Sequence, residues 1–309
     1  MQVFSNERRT LLRAMLAGGG YAAMGDALAA APGSLVTRPI PSSGELLPVV
    51  GLGSWITFNV GNDPAARANC TNVVRAFLEG GGRLIDSSPM YGSAQAVIGN
   101  ALAQLKQPKT VFSADKVWIG AGTKGPAQIE SSRALWSVPR FDLLQVHNLL
   151  AWEDHLRTLQ SMKAAGRLRY VGITTSEGRR HGELIKIMET QPLDFVQVSY
   201  NVLDREVEAR ILPLARERRI AVIVNRPFRQ GDLTQSLAGK PLPGWALDIG
   251  CTSWAQALLK FIVSEPGVTC AIPATSKPAH ALENMLAARG AMPDGALRRR
   301  IAADVKRLT

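Results

Sequence analysis

The chain has 309 residues, 46% of them hydrophobic and 20% charged, with a formal net charge of +11. This composition excludes a disordered chain and leaves room for a sizeable core, built as two ordinary domains or as one α/β barrel. Its basic residues (Arg216, Arg218 and Arg219; Arg298 to Arg300; Lys306 and Arg307) are scattered rather than interleaved with aromatics, so they read as solvated helix faces and not as a nucleic-acid surface.

Residues 1–32 read as a segment apart from the fold. Glu7-Arg8-Arg9-Thr10-Leu11-Leu12-Arg13 precedes a short, glycine-rich apolar run from Ala14 to Gly20, then small residues Ala27 to Ala31 and Pro32. A basic stretch, a short apolar stretch and an Ala-x-Ala site describe a secretory signal. The paired arginines resemble those of a twin-arginine export signal, although Glu7 stands where that motif usually carries Ser or Thr. The expected location is the periplasm or another exported compartment, with the export machinery as a partner. The alternative is an amphipathic helix at the start of a cytoplasmic protein.

From residue 35 onward the pattern is regular. Leu35-Val36 and Leu46-Leu47 flank Pro41-Ser42-Ser43-Gly44, which predicts a small hairpin ahead of the main fold. Val49 to Gly53 follows, then a helix opening at Asp63-Pro64 and stopping at Gly80-Gly81-Gly82. Strand-like runs recur near 83–86, 110–115, 142–147, 170–174, 195–199, 220–224 and 269–272, with helical periodicity between them. Continuous apolar strands alternating with amphipathic helices predict a parallel sheet covered by helices. Eight such units predict a (β/α)8 barrel preceded by the hairpin. A doubly wound open sheet is the runner-up, but no Gly-x-Gly-x-x-Gly turn follows the first strand. Cys70, Cys251 and Cys270 each lie in an apolar pattern without metal-ligand spacing; buried free thiols and no metal site are expected.

In such a barrel every strand delivers its last residue to one face. The second strand ends at Asp86, with Tyr91 in the loop that follows; the third ends at Lys116 and the fourth at His147. Each has a bland alternative, namely an ion pair for Asp86 and Lys116, a backbone-satisfied histidine and a packed loop aromatic. Arriving together on consecutive strands, they suit proton delivery. An ammonium beside a phenol lowers the phenol's pKa, and Asp86 would keep Lys116 placed and charged. Such a phenol can protonate a carbonyl oxygen as hydride reaches the carbon, while His147 hydrogen-bonds the same oxygen. The set lacks a nucleophile with its base, and points to carbonyl reduction.

Those residues, with Leu47 to Gly53, Ile85 to Gly92, Asp142 to His147, Ile272 to Pro278 and Glu283-Asn284, resemble the aldo-keto reductases along nearly all of residues 41–309. The resemblance implies a monomeric barrel over residues 33–309, an NADP(H) or NAD(H) cofactor, a small carbonyl substrate and an Asp, Tyr, Lys and His tetrad falling on Asp86, Tyr91, Lys116 and His147. It also implies cofactor contacts. Thr174 and Thr175 stand where the family usually has a Ser-Asn pair on the nicotinamide amide, and Gln197 matches the family's glutamine for that amide. Asn225 occupies the place of a ring-stacking tyrosine, and Arg226 is placed to reach the pyrophosphate. Thr275, Ser276 and Lys277 open a helix suited to a 2′-phosphate, which favours NADP(H) over NAD(H). Ala274 and His280 replace a lysine and an arginine of NADP-specific members, while Glu283 and Asn284 match contacts near adenine.

The rim is expected to include a short loop, Asn148 to Trp152, and a longer wall or cofactor belt from Phe228 to Ile249. Trp55, Trp118 and Trp152 follow strand ends and are candidates for a hydrophobic pocket. A basic helix, Asp294 to Arg307, is expected outside the barrel. The departures at Thr175 and Asn225 motivate an alternative to turnover, a nicotinamide-cofactor-binding sensor or regulatory barrel.

Overall fold

A computed structural model describes residues 33–309 of the chain; the expected export segment, residues 1–32, lies outside the described residues. Strands β1 (Thr37–Pro39) and β2 (Leu46–Pro48) form the antiparallel hairpin, with Arg38 opposite Leu47. Its first strand lies two residues later than expected. The Ile40 N–H bonds the Glu45 carbonyl and the Gly44 N–H bonds the Ile40 carbonyl, each at 2.8 Å, so the turn begins at Ile40 and fixes the register. Leu35 bridges Arg289 instead.

The barrel strands are β3 (Leu52–Gly53), β4 (Leu84–Asp86), β5 (Phe112–Val117), β6 (Leu143–Val146), β7 (Tyr170–Thr174), β8 (Phe195–Ser199), β9 (Ala221–Asn225) and β10 (Cys270–Ala271). All neighbours are parallel, in the order β3 to β10. Parallel bridges from Val50 to Ala271 and from Gly53 to Ala274 close the cylinder. Gly53 is needed for that closure, because a Cβ there would stand 2.7 Å from the Ile272 carbonyl oxygen. The fold is the expected (β/α)8 barrel with an N-terminal hairpin.

From β4 to β9 every strand residue except Asn225 is buried, which is why the strands read as unbroken apolar runs. The first residues of these strands, Leu84, Phe112, Leu143, Tyr170 and Phe195, pack with Ile40 and Leu47 of the hairpin and seal the amino-terminal end. The opposite end is therefore left for the site.

Eleven α-helices are described: α1 (Pro64–Glu79), α2 (Ala94–Gln104), α3 (Gly125–Trp136), α4 (Trp152–Ala164), α5 (His181–Thr190), α6 (Ile211–Glu217), α7 (Asp232–Ser236), α8 (Gly244–Asp248), α9 (Trp254–Val263), α10 (Pro278–Leu286) and α11 (Gly295–Leu308). Asp63 caps α1 by accepting the Ala66 N–H at 2.8 Å, with Pro64 at the first helical position. Cys70, Cys251 and Cys270 are buried free thiols. Among the described residues no helix is long and apolar enough to cross a membrane.

One basic residue departs from the expected solvated face. Arg298 of α11 is buried, 4.4 Å from the Phe261 ring centroid, with Glu208 at 3.3 Å and Glu265 at 3.2 Å. Two carboxylates and an aromatic face offset the cost of taking its charge out of water. Arg299 and Arg300 remain exposed.

Candidate active site

Side chains alternate along a strand, so Asp115 and Lys116 of β5 leave it on opposite faces. Lys116 points into the barrel, where its Nζ lies 2.5 Å from Asp86 Oδ2 and donates to the Ser87 carbonyl at 2.9 Å. The lysine is fully buried and Asp86 nearly so. The second carboxylate oxygen accepts the Gln197 amide at 2.9 Å and the Gln145 amide at 3.4 Å. A buried pair of this kind persists only when its remaining hydrogen bonds are met, as they are here. Burial disfavours the ammonium, yet the Asp86 carboxylate and the Tyr91 phenol more than offset it, and Lys116 is held above its ordinary pKa.

Tyr91 lies in the loop between β4 and α2. Its ring centroid is 5.2 Å from the Lys116 Nζ and 5.7 Å from the His147 ring, which it meets edge-on. The expected lowering of the phenol's pKa is corrected by its surroundings. Burial is the largest influence and raises it; Lys116 lowers it, while Asp86 and Asp115 raise it again, and the net shift is upward. At neutral pH the site therefore holds a protonated phenol.

His147 follows β6 and is buried, with Nδ1 2.7 Å from Ser88 Oγ. Ser88 Oγ also accepts the Met90 N–H at 3.2 Å, and its own proton can be given to Nδ1, an arrangement that pairs with the tautomer carrying its proton on Nε2. Burial, helped by Lys116, pushes the imidazole down to about 2, so it stays neutral. Ser88 was not singled out from the sequence, although it belongs to the turn that places Tyr91.

Asp115 was also missed. It is fully buried behind Lys116, accepting the Lys116 backbone N–H at 2.7 Å and the Gln95 amide at 2.8 Å. Gln95 of α2 also donates to Ser132 of α3 at 2.9 Å. The burial of Asp115, only partly countered by these bonds and by Lys116, raises its pKa to about 7.

Above these groups a cleft of about 930 Å³ opens at the carboxyl ends of the strands. Asp86, Tyr91 and His147 line it, as do Thr174, Gln197, Asn225, Arg226, Thr275, His280, Glu283 and Asn284. Thr175, Ser276 and Lys277 do not. Thr175 turns into the wall, where its Oγ1 is buried without a partner. Ser276 and Lys277 lie at the exposed start of α10; the Ser276 carbonyl accepts Asn69 of α1 at 2.7 Å, and the Lys277 N–H bonds Thr275 Oγ1 at 3.1 Å. Ser176, unremarked in the sequence, lines the cleft one residue beyond Thr175.

Asn225 is not poised as a ring-stacking surface. It accepts Ser199 Oγ at 2.6 Å and donates to the Thr175 carbonyl at 3.0 Å, joining β9 to β8 and to the residue that follows β7. Arg226 pairs with Glu177 at 2.6 Å on the cleft wall, and Arg179 binds the same carboxylate. Of the wall expected from Phe228 to Ile249, only the part from Phe228 to Leu242 lines the cleft; Trp245 is buried and does not line it. Of the three tryptophans, Trp55 lines the cleft; Trp118 is exposed beside β5 and Trp152 packs on the helical core. Among the described residues no group of three or more His, Cys, Asp or Glu side chains is placed to hold a metal ion.

Residues 49–294 match the model of the Aldo/keto reductase family. The methylglyoxal reductase YeaE of Escherichia coli is 29% identical over 253 residues, covering 80% of this chain and 88% of that one. An NADH-specific methylglyoxal reductase of the same organism is 25% identical, covering 67% of this chain and 72% of its own. Among solved structures, an aldo/keto reductase from Klebsiella pneumoniae in complex with NADP and acetate superposes with a TM-score of 0.70 at 24% identity, over 86% of this chain and 92% of that chain. With the family's match extending over most of the barrel, this chain belongs to the aldo/keto reductases.

Proposed function

We propose that the protein is an NAD(P)H-dependent reductase of aldehydes or ketones, with Tyr91 as the general acid. The observation that carries this reading is the convergence of Asp86, Lys116, Tyr91 and His147 at the floor of one cleft. Relatives named as methylglyoxal reductases, and a structural neighbour solved with NADP, support it.

The lining residues fit a dinucleotide. The cleft draws on the loops after β7 and β9 and on α10, and Thr174, Gln197 and Asn225 share its lining with Tyr91. Arg226 and Lys240 supply positive charge along the walls. When bound, the nicotinamide supplies hydride to the carbonyl carbon. The protein's own residues manage the oxygen. His147, neutral with its proton on Nε2, donates a hydrogen bond that orients the carbonyl. As negative charge builds on that oxygen, the Tyr91 proton transfers to it, because an alkoxide is a much stronger base than a phenolate. Lys116 stabilises the phenolate left behind, and Asp86 holds Lys116 in place. General acid catalysis of this kind is typically worth ~10²- to 10⁴-fold.

NADPH remains the favoured cofactor in this proposal, but with Ser276 and Lys277 outside the lining the support falls on Thr275 and His280. Glu283 shares that wall and opposes an added phosphate, so the preference over NADH is expected to be modest. His280→Ala should lower kcat/KM for NADPH several-fold and leave that for NADH unchanged. A panel of aldehydes, ketones and 2-oxoaldehydes, followed by loss of reduced-nicotinamide absorbance, tests the activity. Cofactor quenching of tryptophan fluorescence without turnover on any of them would favour the sensor reading. No fluorescence change with NADPH or NADH would indicate a barrel that binds no nucleotide.

A further inference from the structure

Ser88 heads the turn that carries Tyr91, and its side chain is shared between that turn and the imidazole. Its carbonyl accepts the Tyr91 N–H at 3.0 Å, closing a four-residue turn in which Pro89, with its φ already fixed, takes the second position. Its Oγ accepts the Met90 N–H at 3.2 Å and lies 2.7 Å from His147 Nδ1. Ser88 is itself fully buried. One residue is thus bonded both to the backbone that places the phenol and to the ring of the histidine.

The direction of the bond to His147 follows from what a buried hydroxyl must satisfy. Serine has one proton to give and two lone pairs to accept with. Were Nδ1–H the donor, Oγ would accept twice and its own proton would face no acceptor, since Oγ has no third partner among the described residues. Leaving a buried donor unmet is costly. With Oγ–H donating to Nδ1, the hydroxyl, the Met90 N–H and Nδ1 are all satisfied. The imidazole is neutral, so its single proton then sits on Nε2. Nε2 has no hydrogen-bond partner among the described residues, nor is it one of the sealed polar atoms left unpaired, and His147 lines the cleft. The Nε2–H is therefore open to a ligand there.

The same bond fixes the ring's orientation. The backbone beside His147 is held from β7, where Thr174 Oγ1 accepts the Asn148 N–H at 3.0 Å. Rotation of the ring about its own axis is the remaining freedom, and a half-turn would put carbon atoms where the two nitrogens now stand. Among the described residues Ser88 Oγ is the ring's one hydrogen-bond partner, so it distinguishes the two orientations.

We propose that Ser88 is a positioning residue for the reaction: its hydroxyl, by donating to Nδ1, holds the His147 ring with Nε2–H toward the carbonyl oxygen, from the same turn that carries Tyr91. This rests on the carbonyl-reductase reading above and adds to it the residue that aligns the histidine with the phenol. Both groups meant for one oxygen are then set by a single turn.

Nitrogen-15 spectra of the ring, assigned by the signals that His147→Gln removes, read this bond without any turnover. In the wild type Nε2 should carry the proton and Nδ1 should show the shift of a hydrogen-bond acceptor; in Ser88→Ala that shift should disappear. Ser88→Ala should also lower kcat/KM for carbonyl reduction by about tenfold or more, mostly through kcat, because the bond to the oxygen strengthens as charge builds. NADPH quenching of tryptophan fluorescence should stay within about twofold. A wild-type Nδ1 that carries the proton, an Nδ1 signal that Ser88→Ala leaves unmoved, or a variant active within about twofold of wild type would overturn the proposal and leave the reductase reading standing. Activity and NADPH quenching lost in the same proportion would reduce Ser88 to a support of the turn and overturn it likewise. A wild type with Nε2 protonated that turns over no member of the carbonyl panel would remove the reductase reading, and this role with it.

Discussion

Asp115 and Lys116 are adjacent in sequence and face opposite environments, and that contrast sets two titrations. Lys116 meets a carboxylate and stays charged; Asp115 is hydrogen-bonded only by neutral donors, and its burial outweighs them and the nearby Lys116 charge, raising it to about 7. Its folded-state pKa lies above its unfolded value, so its contribution to stability is fully present below about pH 4 and is lost as pH rises through about 7. Asp115→Asn should therefore gain on the wild type across that window, by on the order of 4 kcal/mol in the buried limit. Urea midpoints at pH 4.5 and pH 8 check this, with a pH-independent difference contradicting it. His147 acts in the opposite sense: its depressed pKa makes the wild type lose stability as pH falls below about 6.5. At this scale the sequence was half legible. Asp86, Lys116 and His147 could be found because strand ends can be counted, and Tyr91 because it follows one. The sign of the Tyr91 shift could not, because burial depends on what the other seven strands bring.

Helices were legible where their ends carried local chemistry and opaque where a distant segment decided their surroundings. Asp63-Pro64 announces α1, and Asp63→Ala should cost about 1 kcal/mol in chemical denaturation. Lys260 shows the opposite case. It lies on α9, which is buried almost all round, and its Nζ donates to the carbonyls of Ile249, Arg289 and Ala291 at 2.6, 2.7 and 2.8 Å. Nothing in the local sequence says that two distant segments converge on that ammonium. Lys260→Met would leave three carbonyls without their donor and should destabilise the fold by roughly 3 kcal/mol. A loss below about 1 kcal/mol would mean that water replaces the lysine. The same limit applies to α10, whose start looked like a phosphate cradle. Its contact with Asn69 of α1 is a tertiary fact, and it marks where Ser276 and Lys277 lie outside the cleft lining.

For the whole molecule, the barrel was legible because parallel strands buried on both faces leave a plain apolar signature, with helical periodicity between them. Its floor was less so. Asn225 joining β9 to β8 and to the residue after β7, and Glu177 holding Arg226, arise only when strands far apart in sequence become neighbours. We propose further that the chain is exported after folding around its cofactor, on the strength of Arg8 and Arg9. Fractionation of tagged protein should place it outside the cytoplasm, with Arg8→Lys and Arg9→Lys together retaining it; wild type confined to the cytosol with an intact amino terminus would contradict this. The central claim is that the tetrad delivers a proton from Tyr91, and its most direct test is Tyr91→Phe. The account predicts a loss of ~10²-fold or more in kcat/KM for carbonyl reduction, with NADPH affinity from tryptophan quenching unchanged within about threefold. A variant that reduces the same substrates within a few-fold of wild type would contradict it.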